Sequence, residues 1–257
     1  MVFHETGSGP CLVLLHAFPL NAGMWSREHY LLANHYRVLS LDYPGFGMSL
    51  PEQEGFTLPL LGDRILEKLR VLGIEQFVIG GCSMGGYLAL EIARRHPPGL
   101  KGMVLIDTRS TADSEEARTN RYLQIVEIKS HGAGALMQRL SNLLVSEYSR
   151  ANQPALVEYL ERTMKSASID GVTHALRAMA ERADTTEDVR GLAVPVLVVA
   201  GEEDALITQD EAEQLADLFP HSSFHLLPQA GHLPNLEQPE LFLNILTSFL
   251  QTVSFDD

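Results

Sequence analysis

The chain has 257 residues, 45% of them apolar, and a formal net charge of −14. That length and apolar share suit one sizeable α/β core carrying an insertion. The acidic balance argues against nucleic acid and anionic membrane as partners, since both demand basic patches. No apolar run approaches the ~18 residues of a membrane span, and Met1-Val2-Phe3-His4-Glu5 has neither the basic nor the apolar region of a leader, so none is expected.

In chain order, apolar β-branched runs predict strands over 11–16, 36–41, 76–81, 100–107, 194–200 and 223–227. Several are apolar almost throughout, as parallel strands covered on both faces must be. Amphipathic stretches between them predict helices over 24–33, 58–72, 84–96, 209–218 and 238–252. This alternation implies a doubly wound α/β sheet with right-handed crossovers. The two cysteines, Cys11 and Cys82, fall at opposite ends of strands expected to be parallel neighbours. That separation exceeds the ~7 Å Cα limit for a disulfide, so both are expected as free thiols in a reducing compartment, the cytoplasm.

Residues 109–188 break the alternation. They hold no convincing strand and read as helices over roughly 114–130, 133–145, 152–167 and 170–183, with Leu136, Met137, Leu140, Leu143 and Leu144 at helical spacing. The expected organisation is a core of residues 1–108 and 189–257 with a helical cap, 109–188, over the carboxyl ends of the strands, where open α/β sheets bind ligands.

The segment from Phe77 to Leu90 carries the chemistry. A short apolar run ends in Gly81-Cys82-Ser83-Met84-Gly85 and passes at once into a helical pattern. A G-x-S-x-G between strand and helix puts the serine on a sharp, strained turn, with glycines where Cβ atoms would clash. The turn lifts the Ser83 hydroxyl to a helix N-terminus, whose free N–H groups favour developing negative charge. A serine hydroxyl needs a base within hydrogen-bond reach and an acid to orient that base. Asp204 follows the 194–200 strand within Gly201-Glu202-Glu203-Asp204, and His232 follows the 223–227 strand within Pro228-Gln229-Ala230-Gly231-His232. The order Ser, Asp, His suits this layout. Asp107, at the end of an earlier strand, is the alternative acid.

The chain resembles the α/β-hydrolases over essentially its whole length apart from the cap. His16-Ala17-Phe18-Pro19 followed by Trp25 is similar to their oxyanion loop, and Asp42-Tyr43-Pro44-Gly45-Phe46-Gly47 to the turn after the next strand. Gly201-x-x-Asp204 and Gly231-His232 match the acid and base loops. There are two departures. Ala17 stands where glycine is usual, at a cost of about 1 kcal/mol if the backbone there needs a positive φ. At most one short strand fits before Cys11, so the family's first strand is expected to be missing.

The resemblance implies ester hydrolysis through an acyl-enzyme. Ser83 attacks, His232 moves the proton, Asp204 fixes the imidazole, and the backbone N–H groups of Phe18 and Met84 bind the oxyanion. His16 and Asp42 are read as structural, and Cys82 as a buried thiol. Trp25, Met137, Leu140 and Met179 are expected to line the pocket. No cofactor or metal is expected, because the sequence offers no clustered His/Cys ligand set. The expected partner is a small-molecule ester or lactone, and the oligomeric state is left open. Enol-lactone hydrolysis, thioester hydrolysis or perhydrolysis would use the same triad, and a non-catalytic ligand-binding protein is the alternative outside enzymes. Serine at the elbow excludes the aspartate-dependent epoxide hydrolases and haloalkane dehalogenases.

Overall fold

The computed structural model describes residues 1–255. Seven strands form one sheet: β1 (Val2–Thr6), β2 (Cys11–Leu15), β3 (Arg37–Asp42), β4 (Phe77–Cys82), β5 (Leu100–Ile106), β6 (Val196–Gly201) and β7 (Ser222–Leu227). Their spatial order is β1-β3-β2-β4-β5-β6-β7, with β1 antiparallel to β3 and every other pairing parallel. Strands β2, β4 and β6 are buried at every position, so their unbroken apolar runs are covered on both faces. One short strand does precede Cys11, as the length of that segment allowed.

The helices that cover the sheet are α1 (Ser26–Leu32), α2 (Leu58–Val71) and α3 (Met84–Ala93), and later α10 (Gln209–Ala216), α11 (Pro234–Glu237) and α12 (Pro239–Leu250). Between β5 and β6 the chain runs through six consecutive helices: α4 (Glu115–His131), α5 (Gly134–Leu143), α6 (Glu147–Asn152), α7 (Pro154–Lys165), α8 (Ile169–Ala180) and α9 (Thr186–Val189). No helix among the described residues is long and apolar enough to cross a membrane.

Two predicted helices start at a proline, which fixes their first residue. The helix expected over 152–167 is observed as α7, set off from α6 by Gln153, and the helix expected over 238–252 as α12, set off from the short α11 by Gln238. Gln153 and Gln238 each precede proline and sit near φ −125°, ψ 60°, outside the helical region. A proline ring clashes with the preceding residue in αR and supplies no N–H, so each helix restarts there. The helix expected over 24–33 begins as a 3₁₀ turn, Ala22–Trp25, capped by Asn21.

Cys11 and Cys82 are both free and buried. Cys11 is in register with Phe77, at the far end of β4 from Cys82, so the strand geometry keeps them apart.

Candidate active site

Ser83 stands between β4 and α3 at φ 54°, ψ −116°, a region that a non-glycine residue occupies only under constraint. The constraint is visible in its neighbours. A Cβ on Gly81 would lie 2.1 Å from the Gly85 carbonyl oxygen, and one on Gly85 would lie 2.2 Å from that of Leu15. Only glycine lets strand, helix and neighbouring strand approach this closely. The turn is held by Ser83 N–H donating to Ile106 O at 2.9 Å and the Thr108 hydroxyl donating to Ser83 O at 2.9 Å.

His232 and Asp204 arrive from the loops after β7 and β6. The Nδ1 of His232 lies 2.7 Å from Asp204 Oδ2, and both side chains are almost wholly buried, 2% and 0% exposed. Leu206 N–H donates to the other Asp204 oxygen at 2.7 Å. These contacts hold the Asp204 carboxyl below the usual carboxylate range, His232 overcoming the burial that pushes the other way. Ser83 and His232 line the same cavity of about 280 Å³.

Asp107, the alternative acid, is a fully buried neighbour of this pair. Its carboxyl is pushed well above the normal range by desolvation and by the charge of Asp204. Its Oδ1 accepts Gly201 N–H at 3.0 Å, while Oδ2 meets no donor. Asp107, Asp204 and His232 are the group of acidic and histidine residues, among those described, close enough to share a cation. The short Asp204–His232 bond already occupies the atoms that would bind one, so a hydrogen-bonded chain is the better account of the cluster.

The proposed oxyanion donors stand open. The backbone N–H groups of Phe18 and Met84 donate to no protein acceptor among the described residues, and Phe18 lines the cavity beside Ser83. Ala17 needs no left-handed backbone, so the expected penalty for alanine does not arise. Its N–H contacts the Met24 sulfur at 3.2 Å, and its carbonyl accepts Leu20 N–H at 2.8 Å. His16 is structural. Its Nδ1 bonds Ala17 O at 2.9 Å, Tyr43 N–H reaches its Nε2 at 3.3 Å, and burial pushes its pKa down to about 4. Asp42 is also structural, accepting Ala22 and Met48 N–H groups at 2.8 Å each.

Two of the expected pocket residues lie elsewhere. Trp25 is completely buried and does not line the cavity, because its side chain belongs to the hydrophobic core. Met137 lines a different pocket, with Met164 and Ser141 on the α5–α7 side. Leu140 and Met179 do line the Ser83 cavity. The wall is also more polar than the leucine and methionine pattern implied, since Asn120, Arg121, Gln124 and Arg139 belong to it. On α4 the lining residues are Ala117, Asn120, Arg121 and Gln124, an i, i+3, i+4, i+7 face. That spacing was readable, but its polar side chains look like a solvated surface.

Glu237 was also missed. Its buried carboxylate accepts the N–H groups of Gly231 at 2.8 Å and Leu233 at 3.2 Å, on either side of His232. Its second oxygen accepts Ser146 N–H at 2.8 Å, between α5 and α6. One carboxylate thereby ties the base loop to the helical segment.

Known proteins share this organisation. The profile of the family described as alpha/beta hydrolase fold matches residues 10–239. The chain is 26% identical to 3-oxoadipate enol-lactonase 1 of Acinetobacter baylyi over 96% of this chain and 90% of that one. It is 27% identical to the pimeloyl-[acyl-carrier protein] methyl ester esterase of Nitrosospira multiformis, over 95% of each. Among solved structures, a malate-bound thermophilic esterase from Thermogutta terrifontis superposes with a TM-score of 0.94 at 35% identity, over 97% of this chain and 92% of that one. With the elbow, the buried Asp–His pair and the mostly parallel sheet already in place, these similarities lead to one conclusion: the chain belongs to the alpha/beta hydrolase fold family.

Proposed function

We propose that Ser83 is the nucleophile, His232 the general base and Asp204 the acid of a serine-dependent ester hydrolysis. The enzyme is a carboxylic-ester hydrolase. The observation that carries the residue roles is the buried 2.7 Å contact between His232 and Asp204, facing the same cavity as the strained Ser83.

The chemistry follows from those positions. Asp204 accepts Nδ1–H and leaves Nε2 of His232 as the acceptor toward the cavity. His232 takes the Ser83 proton as the hydroxyl oxygen attacks the ester carbonyl. The resulting oxyanion is bound by the N–H groups of Met84 and Phe18, each a contribution of roughly 3–4 kcal/mol in comparable sites. His232 then protonates the leaving alcohol and later takes a proton from water, which releases the acid and restores Ser83. Residues 109–188 act as a cap over a core of residues 1–108 and 189–257, shaping the pocket. A lactone is an internal ester and fits the same sequence of steps, and the likeness to an enol-lactonase supports that reading.

The test is a short p-nitrophenyl ester together with a serine-directed fluorophosphonate. The wild type turns over the ester and is labelled at Ser83. Ser83→Ala loses labelling and ester turnover by ~10⁴-fold or more while remaining folded. Near wild-type turnover in pure Ser83→Ala protein would remove Ser83 from the mechanism.

A further inference from the structure

The wall of the Ser83 cavity carries charge of one sign. Arg109, Arg121 and Arg139 line it, and no aspartate or glutamate does. The chain as a whole has 33 acidic residues against 19 Lys and Arg, so this wall is the opposite of the average surface.

The three guanidinium groups are not equivalent. Arg109 is matched, with Nη1 on Glu211 and Nη2 on the Leu206 carbonyl, both at 2.7 Å. Arg121 is held from behind by Asp113, Nε to Oδ2 at 2.5 Å. That carboxylate is shared with the buried Arg182 at 2.6 Å, which leaves two cations on one anion. The Nη1 of Arg121 meets only the Met179 sulfur at 3.5 Å, a weak acceptor on a side chain that itself lines the cavity. Arg139, on α5, is exposed at the cavity wall and has no hydrogen-bond or ion-pair partner among the described residues. The rest of the α5 wall is leucine.

We propose that Arg121 and Arg139 form an anion subsite, and that the ester cleaved at Ser83 carries a carboxylate away from its scissile bond. This rests on the ester-hydrolase reading of the site. Arg121 supplies a donor already oriented by Asp113, which lowers the ordering cost of gripping a planar carboxylate. Arg139 supplies a charge that no protein group neutralises. The α5 leucines take the methylene chain between the two functional groups.

The experiment compares monomethyl adipate with methyl hexanoate, two methyl esters with the same six-carbon acyl chain and a different far end. Hydrolysis is followed by pH-stat titration. The wild-type kcat/KM ratio is expected to favour the anionic ester by about tenfold or more at low ionic strength, and to fall as salt is added. Arg139→Met and Arg121→Met are each expected to lower that ratio by about tenfold. The latter leaves Asp113 paired with Arg182, and the ratio does not depend on how much of a preparation is folded. A wild-type ratio near one, or a ratio unmoved in both variants, overturns the proposal. If neither ester is turned over, the hydrolase reading fails separately and calorimetry decides the subsite. Adipate binding that is absent for adipamide and lost in the arginine variants sustains it, and no adipate binding ends it.

Discussion

A carboxylate oxygen of Asp107 and one of Asp204 lie within 4.8 Å of each other and of a ring nitrogen of His232. Two carboxylates this close in a buried site do not both ionise. Asp204 has the imidazole and the Leu206 N–H, so it keeps the charge. Asp107 takes the proton, and its otherwise unpartnered Oδ2 then becomes a donor to Asp204. The alternative acid is therefore a neutral neighbour that steadies the proposed one.

This division separates two isosteric substitutions. Asp204→Asn is expected to lower ester kcat/KM by roughly 10⁴-fold, because an amide favours the wrong tautomer of His232. Asp107→Asn keeps an N–H where the carboxyl O–H stood and is expected to stay within several-fold of wild type. Asp107→Leu removes the donor and is expected to cost about tenfold more than Asp107→Asn. Steady-state kinetics on a p-nitrophenyl ester decide the order, and a reversal of the two asparagine variants would move the acid to Asp107.

Glu237→Gln tests the support of the base loop. Glutamine keeps one acceptor for the Gly231 and Leu233 N–H groups but turns an NH₂ toward Ser146 N–H, or the reverse. At least one buried donor is left unmatched, at a cost of roughly 1–3 kcal/mol. The melting temperature is expected to drop by several degrees, and kcat to fall more than KM rises, since the imidazole and not the pocket is displaced. An unchanged kcat would show that His232 is positioned without this carboxylate.

Chain-length preference should answer to Leu140 and Met179 and not to Met137. The first two line the Ser83 cavity, whereas Met137 faces the pocket beside α7. Leu140→Ala is expected to shift the preferred acyl chain by one or two carbons, at roughly 1–3 kcal/mol per methylene gained or lost against an apolar wall. Met137→Ala is expected to lower stability without moving the profile. A panel of straight-chain esters reads both.

Glu28 predicts a pH dependence of stability. It is buried in α1, neither oxygen has a partner, and desolvation pushes its pKa up to about 7 from 4.5. The unfolded chain releases this proton near pH 4.5 and the folded chain holds it to about 7. Stability from this group is complete below pH 4.5 and is lost as pH rises through 7. Glu28→Gln is therefore expected to gain stability relative to wild type between pH 4 and pH 8, measured as the difference in melting temperature. A difference that stays flat with pH would mean the carboxyl is ionised in the fold.

The legible parts of this enzyme were those fixed by neighbours along the chain. The elbow at Ser83 declares itself because strand, glycines and helix are contiguous, and His232 and Asp204 because each lies in the loop that follows a strand. The illegible parts are set by packing between distant segments. Arg121 reads as a surface residue, and Arg139 is in fact exposed; that both line one cavity follows only from how the helices after β5 pack. Met137 and Leu140 differ by three residues, about 60° around a helix, which is enough to send them to separate pockets. Glu237 reads as one more acidic residue because one of its partners, Ser146, is 91 positions away.

The thiol of Cys82 donates to the carbonyl of His232 at 3.5 Å and is wholly enclosed. Burial and the surrounding acids raise its pKa well above the normal thiol range, and burial raises that of Cys11 to about 12. Neither sulfur is a competent nucleophile toward alkylating reagents while the sheet is closed. The rate at which an added thiol reagent modifies the native protein therefore counts opening events. Modification at Cys82 records moments when its contact with the His232 carbonyl is broken, so the chain carries its own clock for loss of the proposed catalytic arrangement.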